Sequence, residues 1–226
     1  MTSFAERWSG RAQSLAVFGD SITAGSGASS PDRSWASLLA TKLGAKLDNR
    51  GISATVLQSS PDAGGRPRAN NGFSRYREHL LGDTRADLIA ILYGFNDARY
   101  TAAPASLNHD GFRRDYIALV QGLLDAGYDS EAICLGSPPH IPDAGFDVDA
   151  ENGFAGQSRV EFQRYVRTVE LIARDAGTYY AAVNEWMDAR GDALVSADHV
   201  HPNDAGHAAI AEAFADAVPS RDRTLK

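Results

Sequence analysis

A chain of 226 residues with 43% hydrophobic and 23% charged side chains can bury a core of its own, which excludes the disordered and fibrous classes. A net charge of −7 leaves no electrostatic footprint for a nucleic-acid backbone, and no apolar run approaches the ~18 residues that span a bilayer. The single cysteine, Cys134, excludes an internal disulfide framework and a cysteine-rich zinc site.

The length fits a single domain over residues 1–226. Near the N-terminus, Arg7 and Arg11 precede only the short apolar run 15–18, too short for a signal-peptide core. A cytoplasmic location is therefore expected.

In chain order, short apolar runs alternate with longer segments of helical spacing. Residues 15–18 predict a strand, 35–43 a helix and 46–49 a second strand. The stretch 58–71, with two glycines, two prolines and two arginines, predicts a long loop. A third strand is expected at 88–93. Across 110–126, Phe112, Tyr116, Leu119, Val120, Leu123 and Leu124 make one apolar stripe, and Gly127 stops it.

A fourth strand at 132–135 leads into a second long loop, 137–157. Ser158 and Glu161 read as a capping box. They open a helix with Phe162, Val166, Val169 and Ile172 on one face, ending near Gly177. A fifth strand is expected at 179–183. The last helix starts at Asn203 or Asp204, with Ile210, Phe214 and Val218 facing inward.

No two strands are joined by a two-residue hairpin turn, so the connections are crossovers and the sheet is parallel. The fold class is α/β: a three-layer αβα domain with a sheet of about five strands. Both long loops follow strands and emerge at the carboxyl edge of the sheet, where open α/β folds place ligands.

Four places could carry chemistry. Ser21, in Gly19-Asp20-Ser21, directly follows the first strand; a serine there can be a nucleophile or a helix cap. Asp198 and His201 are three residues apart, close enough for one tight turn to join carboxylate and imidazole, and Pro202 holds His201 extended. Asn96, after the third strand, offers a side-chain amide to a developing oxyanion, or makes a turn. Gly51 ends the second strand, where a glycine lets a backbone amide approach a ligand, or turns the chain. A competing metal site would use His199, His201 and His207 with Asp204. His199 and His201 point to opposite sides of an extended segment, and His207 falls at the spacing of Ile210 and Phe214, which weighs against it.

Taken together, Gly19-Asp20-Ser21, Gly51 of Asn49-Arg50-Gly51, Gly94-x-Asn96-Asp97 and Asp198-x-x-His201-Pro202 resemble, in order, the four blocks of the SGNH (GDSL-type) serine hydrolases. The resemblance runs from about residue 15 to residue 218. Ile22 replaces the family's leucine, and Ser53-Ala54 stands where the family often has a second glycine. The Gly-x-Ser-x-Gly elbow of the α/β-hydrolases is absent.

The resemblance implies a flavodoxin-like core and an acyl-enzyme on Ser21, with His201 as base and Asp198 orienting it. The oxyanion would be met by the Ser21 and Gly51 amides and the Asn96 side chain. It implies no metal or organic cofactor. The expected substrate is a small-molecule or carbohydrate ester: short-chain acyl or acetyl esters, O-acetylated carbohydrate among them. Thioesterase or lysophospholipase activity is the alternative. Arg66, Arg68 and His140, on the two long loops, are candidate substrate contacts. No motif sets an oligomeric state.

Overall fold

Leu88, Ile89, Ala90, Ile91 and Leu92 form a strand buried on both faces, which only a sheet covered by helices on both sides can accommodate. The computed structural model describes residues 1–61, 65–66, 68–82, 85–99, 108–148 and 158–220. Its elements are, in order, α1 (Phe4–Trp8), β1 (Ser14–Gly19), α2 (Ser21–Ala24), α3 (Trp35–Leu43), β2 (Lys46–Gly51), α4 (Gly72–Leu81), β3 (Leu88–Leu92), α5 (Phe95–Arg99) and α6 (His109–Asp125). There follow β4 (Ile133–Gly136), α7 (Arg159–Ala176), β5 (Tyr179–Ala181), α8 (Val183–Asp188), α9 (Asp204–Ala215) and β6 (Val218–Pro219).

The sheet order is β2-β1-β3-β4-β5-β6. The first five strands are parallel, as the crossover pattern predicts, and β6 runs antiparallel to β5. One helical layer holds α1, α3, α8 and α9; the other holds α4, α6 and α7. Trp35 of α3 stacks on Phe214 of α9 with ring centroids 4.7 Å apart, joining the two main helices of the first layer.

The sheet has six strands rather than about five. Val218 lies in β6, not on the inner face of the last helix. It precedes Pro219, which disfavours helical backbone, so α9 stops at Ala215 and the chain turns back along Tyr179 and Tyr180. At the fifth strand, Val183 opens α8 instead of extending β5. Ser158 does accept the Glu161 amide at 3.2 Å, but the Glu161 carboxylate turns to Arg164 at 2.7 Å, leaving the reciprocal half of the expected box unmade. A complete capping box closes α1, where Ser3 and Glu6 bond each other's backbone amides.

Strand register levels the carboxyl ends. Gly19 of β1 lies opposite Gly51 of β2 and Leu92 of β3. The chain leaves β1 toward β2 on one side and returns to β3 on the other, so a crevice opens between the ends of β1 and β3, the topological switch point of this sheet. Arg75 of α4 fastens this edge from below. Its buried guanidinium donates to the Gly19, Arg50 and Asn70 carbonyls and the Tyr93 hydroxyl, and lies 4.1 Å over the Phe18 ring.

Candidate active site

Ser21 is delivered by a turn that only glycine permits. A Cβ on Gly19 would fall 2.0 Å from Thr23 Oγ1 and 2.4 Å from the Leu92 carbonyl, so the bare backbone lets α2 fold directly onto the strand ends. Asp20 caps α2, its Oδ1 accepting the Ile22 amide at 3.0 Å. Ser21 thus becomes the first residue of a helix, where a backbone amide has no partner within the helix.

Asp198 and His201 come from the loop before α9. The Asp198 Oδ1 accepts the Val200 and His201 amides, both at 2.9 Å, and this turn places His199 in left-handed backbone at φ +60°. The same turn brings Asp198 Oδ2 to His201 Nδ1 at 2.7 Å. On the other side of the ring, Nε2 lies 3.0 Å from Ser21 Oγ. With Nδ1–H donating to the carboxylate, Nε2 is left to accept the serine proton. Burial pushes the Asp198 carboxyl up, but hydrogen bonds from the His201 ring and from the His201 and Val200 amides, with the His201 charge, reverse this and hold it below the usual carboxylate value.

Asn96 and Asp97 sit on α5, beyond the Gly94 turn at φ +112°. The Asn96 Nδ2 donates to the Thr55 carbonyl at 2.9 Å. Asp97 accepts the Leu57 and Gln58 amides and the Gln58 side chain. Both residues therefore pin the segment that follows β2. Within it, Ala54 takes left-handed backbone at φ +59°, a conformation an alanine rarely holds unless its surroundings impose it. A cavity of about 390 Å³ is lined by Ser21, Ala54, Asn96 and His201, with Ser26, Ser53, Arg99, Val148, Asp198 and Val200 completing its wall.

Gly51 does not line this cavity. Its amide donates to Asn49 Oδ1 at 2.9 Å, and a Cβ there would lie 2.3 Å from the Ala24 amide nitrogen. The glycine serves close packing against α2, which Asn49 also holds through the Thr23 carbonyl at 2.8 Å. From this segment Ser53 and Ala54 line the cavity, and among the described residues the Ala54 amide has no hydrogen-bond acceptor.

Three further expectations are corrected. Arg66 is exposed, Arg68 is half-buried, and neither borders the cavity. His140 is buried away from it, with Asp188 against Nδ1 and Asp192 at 2.8 Å from Nε2, so both ring nitrogens are engaged by carboxylates. The second long loop instead contributes Val148, and residues 149–157 of that loop lie outside the described residues. Both His207 nitrogens are also occupied: Nδ1 accepts the Trp35 amide and Nε2 donates to the Ser26 carbonyl. Burial lowers its pKa, against the opposing pull of that carbonyl and Asp204. With His201 engaged on both sides as well, no set of three metal-ligating residues exists among the described residues.

Next to Ser21 in the chain, burial raises Asp20 from 3.8 to about 7, Asp97 adding to the rise while the Ile22 amide and Arg75 oppose it. Burial likewise raises Asp97 from 3.8 to about 6 against its three hydrogen-bond donors. Between pH 3.8 and about 7 the folded chain keeps a proton on Asp20 that the unfolded chain has lost, so this group stabilises most below 3.8 and its contribution fades as pH rises. Asp20→Asn, which keeps the oxygen that accepts from Ile22, is expected to flatten the decline in urea midpoint across that window. An unchanged slope would mean that Asp20 is ionised in the folded chain throughout.

A search of curated protein sequences gave no match. Among solved structures, the chain is similar to a lipase/acylhydrolase from Enterococcus faecalis, with 18% identity over 92% of this chain and 98% of that one and a TM-score of 0.68. It is similar to LAE5, an alpha/beta hydrolase enzyme from the metagenome of Lake Arreo, Spain, with 20% identity over 89% and 93% and a TM-score of 0.66. It is also similar to a catalytic mutant of the acetylxylan esterase Axe2 from Geobacillus stearothermophilus, with 23% identity over 89% and 92% and a TM-score of 0.63. At these identities the likeness is one of fold. Among the described residues no helix is long and apolar enough to cross a membrane. The model of the GDSL-like lipase/acylhydrolase family matches residues 17–209, which include every residue lining the cavity, and the chain belongs to that family as a carboxylic ester hydrolase.

Proposed function

We propose that the protein hydrolyses short-chain acyl esters, acetyl esters foremost, through an acyl-enzyme on Ser21. The observation that carries this reading is the unbroken hydrogen-bonded line from Ser21 through His201 to Asp198, opening into one cavity. His201 Nε2 takes the Ser21 proton as Oγ attacks the ester carbonyl. The Ser21 and Ala54 amides and Asn96 Nδ2 meet the oxyanion, where such donors lower the barrier most because they are already oriented. The imidazolium, steadied by Asp198, then protonates the leaving alcohol. In the second half His201 draws a proton from water as the hydroxide attacks the acyl carbonyl, and the imidazolium returns that proton to Ser21 Oγ as the C–O bond to Ser21 breaks and the acid is released. Every proton has a side chain or water to go to, so the reaction closes without a cofactor.

Cavity size and lining support a small acyl group on a polar alcohol. About 390 Å³ lies toward the small end of ligand pockets, and Val148 and Val200 are the larger apolar side chains of its wall. Ser26, Ser53, Asn96 and Arg99 suit hydroxyl-rich alcohols such as an O-acetylated carbohydrate. The test is labelling with a fluorophosphonate, read by intact mass and peptide mapping, beside turnover of acetyl, butyryl and decanoyl esters. One adduct on Ser21, with kcat/KM falling as the acyl chain lengthens, is the expected result. No adduct and no turnover in folded protein would overturn the proposal, and a preference for the decanoyl ester would move it to a long-chain acylhydrolase.

A further inference from the structure

We propose that Tyr93 and Arg75, neither of which lines the cavity, position the oxyanion donors through a one-way chain of hydrogen bonds ending at the Ile52 carbonyl. The inference rests on the acyl-enzyme reading and deepens it by naming the residues that hold Ala54 and Asn96 in place. A guanidinium has five N–H groups and no acceptor. In Arg75 all five are directed. Nε donates to the Asn70 carbonyl, Nη1 to the Arg50 carbonyl and His79 Nδ1, and Nη2 to the Gly19 carbonyl and the Tyr93 hydroxyl, the last at 2.6 Å. The Tyr93 oxygen therefore accepts from Arg75, and its own hydrogen goes to Thr55 Oγ1 at 3.0 Å. The Thr55 hydroxyl in turn donates to the Ile52 carbonyl at 2.7 Å. Burial pushes the Tyr93 phenol up to about 12 against the pull of Arg75 and Thr55, so the phenol holds the proton it donates at neutral and mildly alkaline pH.

The far end of this chain is the segment that faces the reaction. The bond from Thr55 to Ile52 closes a loop around Ser53 and Ala54, which line the cavity. Ile52 is also held through its amide, which donates to the Gly19 carbonyl at 3.1 Å, the same oxygen that accepts from Arg75 at 2.9 Å. Thr55 offers its own carbonyl to Asn96 Nδ2 at 2.9 Å, which takes one of the two amide hydrogens and leaves the other for the oxyanion. One residue thus governs both the left-handed Ala54 backbone and the orientation of Asn96. Thr55, Tyr93 and Arg75 are all buried, which shields the chain from competing water and strengthens each bond in it. Gly19 stands two residues before Ser21, so the guanidinium that starts the chain also grips the turn carrying the nucleophile. Attacking oxygen and oxyanion donors share one anchor.

The test is Tyr93→Phe, which deletes one oxygen and keeps the ring. On an aryl acetate, kcat per Ser21 site titrated with fluorophosphonate is expected to fall about tenfold to a hundredfold with KM nearly unchanged, less than the ~10²–10³ of deleting an oxyanion donor outright. The Ki of a trifluoromethyl ketone, whose adduct with Ser21 carries the oxyanion, should rise by the factor by which kcat/KM falls. Thr55→Val should reproduce the loss and Thr55→Ser, which keeps the hydroxyl, should recover most of it. Combining Tyr93→Phe with Thr55→Val should cost little more than either alone, because both act through one chain. A variant that is weakened toward urea but keeps kcat per titrated site within about threefold of wild type overturns the proposal, reducing the chain to packing. Fully additive losses in the double variant overturn it too. Should Tyr93→Phe fail to fold, equal rates in Thr55→Val and Thr55→Ser are the overturning result. Wild-type protein with neither turnover nor adduct removes the acyl-enzyme reading and the proposal with it.

Discussion

Ser21→Ala is expected to lower kcat on an acetyl ester by on the order of 10⁶, the loss seen when a serine nucleophile supported by a histidine is removed. The substitution is structurally mild. Alanine is the strongest helix former and Ser21 is the first residue of α2. Among the described residues the hydroxyl bonds only His201, so no buried partner is stranded. The oxyanion donors remain, and a residual rate ~10³–10⁴ above water would be their contribution. Steady-state turnover and the unfolding midpoint should be measured together: a loss below a hundredfold in a normally folded variant would place the nucleophile elsewhere.

Asp198→Asn is expected to lower kcat by ~10⁴ with little effect on stability, through a change of tautomer. The amide oxygen can keep accepting from Val200 and His201, so the turn is preserved. The amide nitrogen then faces His201 Nδ1 where Asp198 Oδ2 stood, at 2.7 Å. A donor there turns Nδ1 into an acceptor, moves the ring proton to Nε2 and removes the site that takes the serine proton. Asp198→Ala should differ by also destabilising the loop, because it removes the acceptor for both amides. A fall of less than tenfold in Asp198→Asn would show that the imidazole is oriented without the carboxylate.

The parts of the site that were legible in the sequence are those whose geometry is local. A serine directly after a strand, an asparagine after the next, and an aspartate three residues before a histidine each depend on a handful of consecutive residues. The inner strands β1, β3 and β4 were legible for a similar reason, since burial on both faces demands unbroken apolar runs. What stayed hidden depends on distant partners. Gly51 reads equally as ligand approach or helix approach until α2 is seen against it. Ala54 gives no hint of positive φ, because the bonds that impose it come from around Asn96 and Asp97. The stripe of α4 is broken by Arg75, a charge that is buried because carbonyls from β1, β2 and the preceding loop surround it. His140 looked like a loop residue free for substrate, and its two carboxylate partners are more than forty residues away.

The two flanks of the sheet end differently, and both endings bear on aggregation. At the β5 side, the short antiparallel β6 occupies the rim, and its Pro219 has no N–H to offer a further strand. At the β2 side the rim is open, but Lys46, Asp48 and Arg50 alternate along it, and the last two are paired at 2.8 Å. A strand from another molecule docking there would have to strip water from these charges before gaining its ladder of hydrogen bonds. One border is thus closed by a residue that cannot donate and the other by residues that resist drying, so the described residues offer a crowded solution of folded molecules no ready template for joining sheet to sheet.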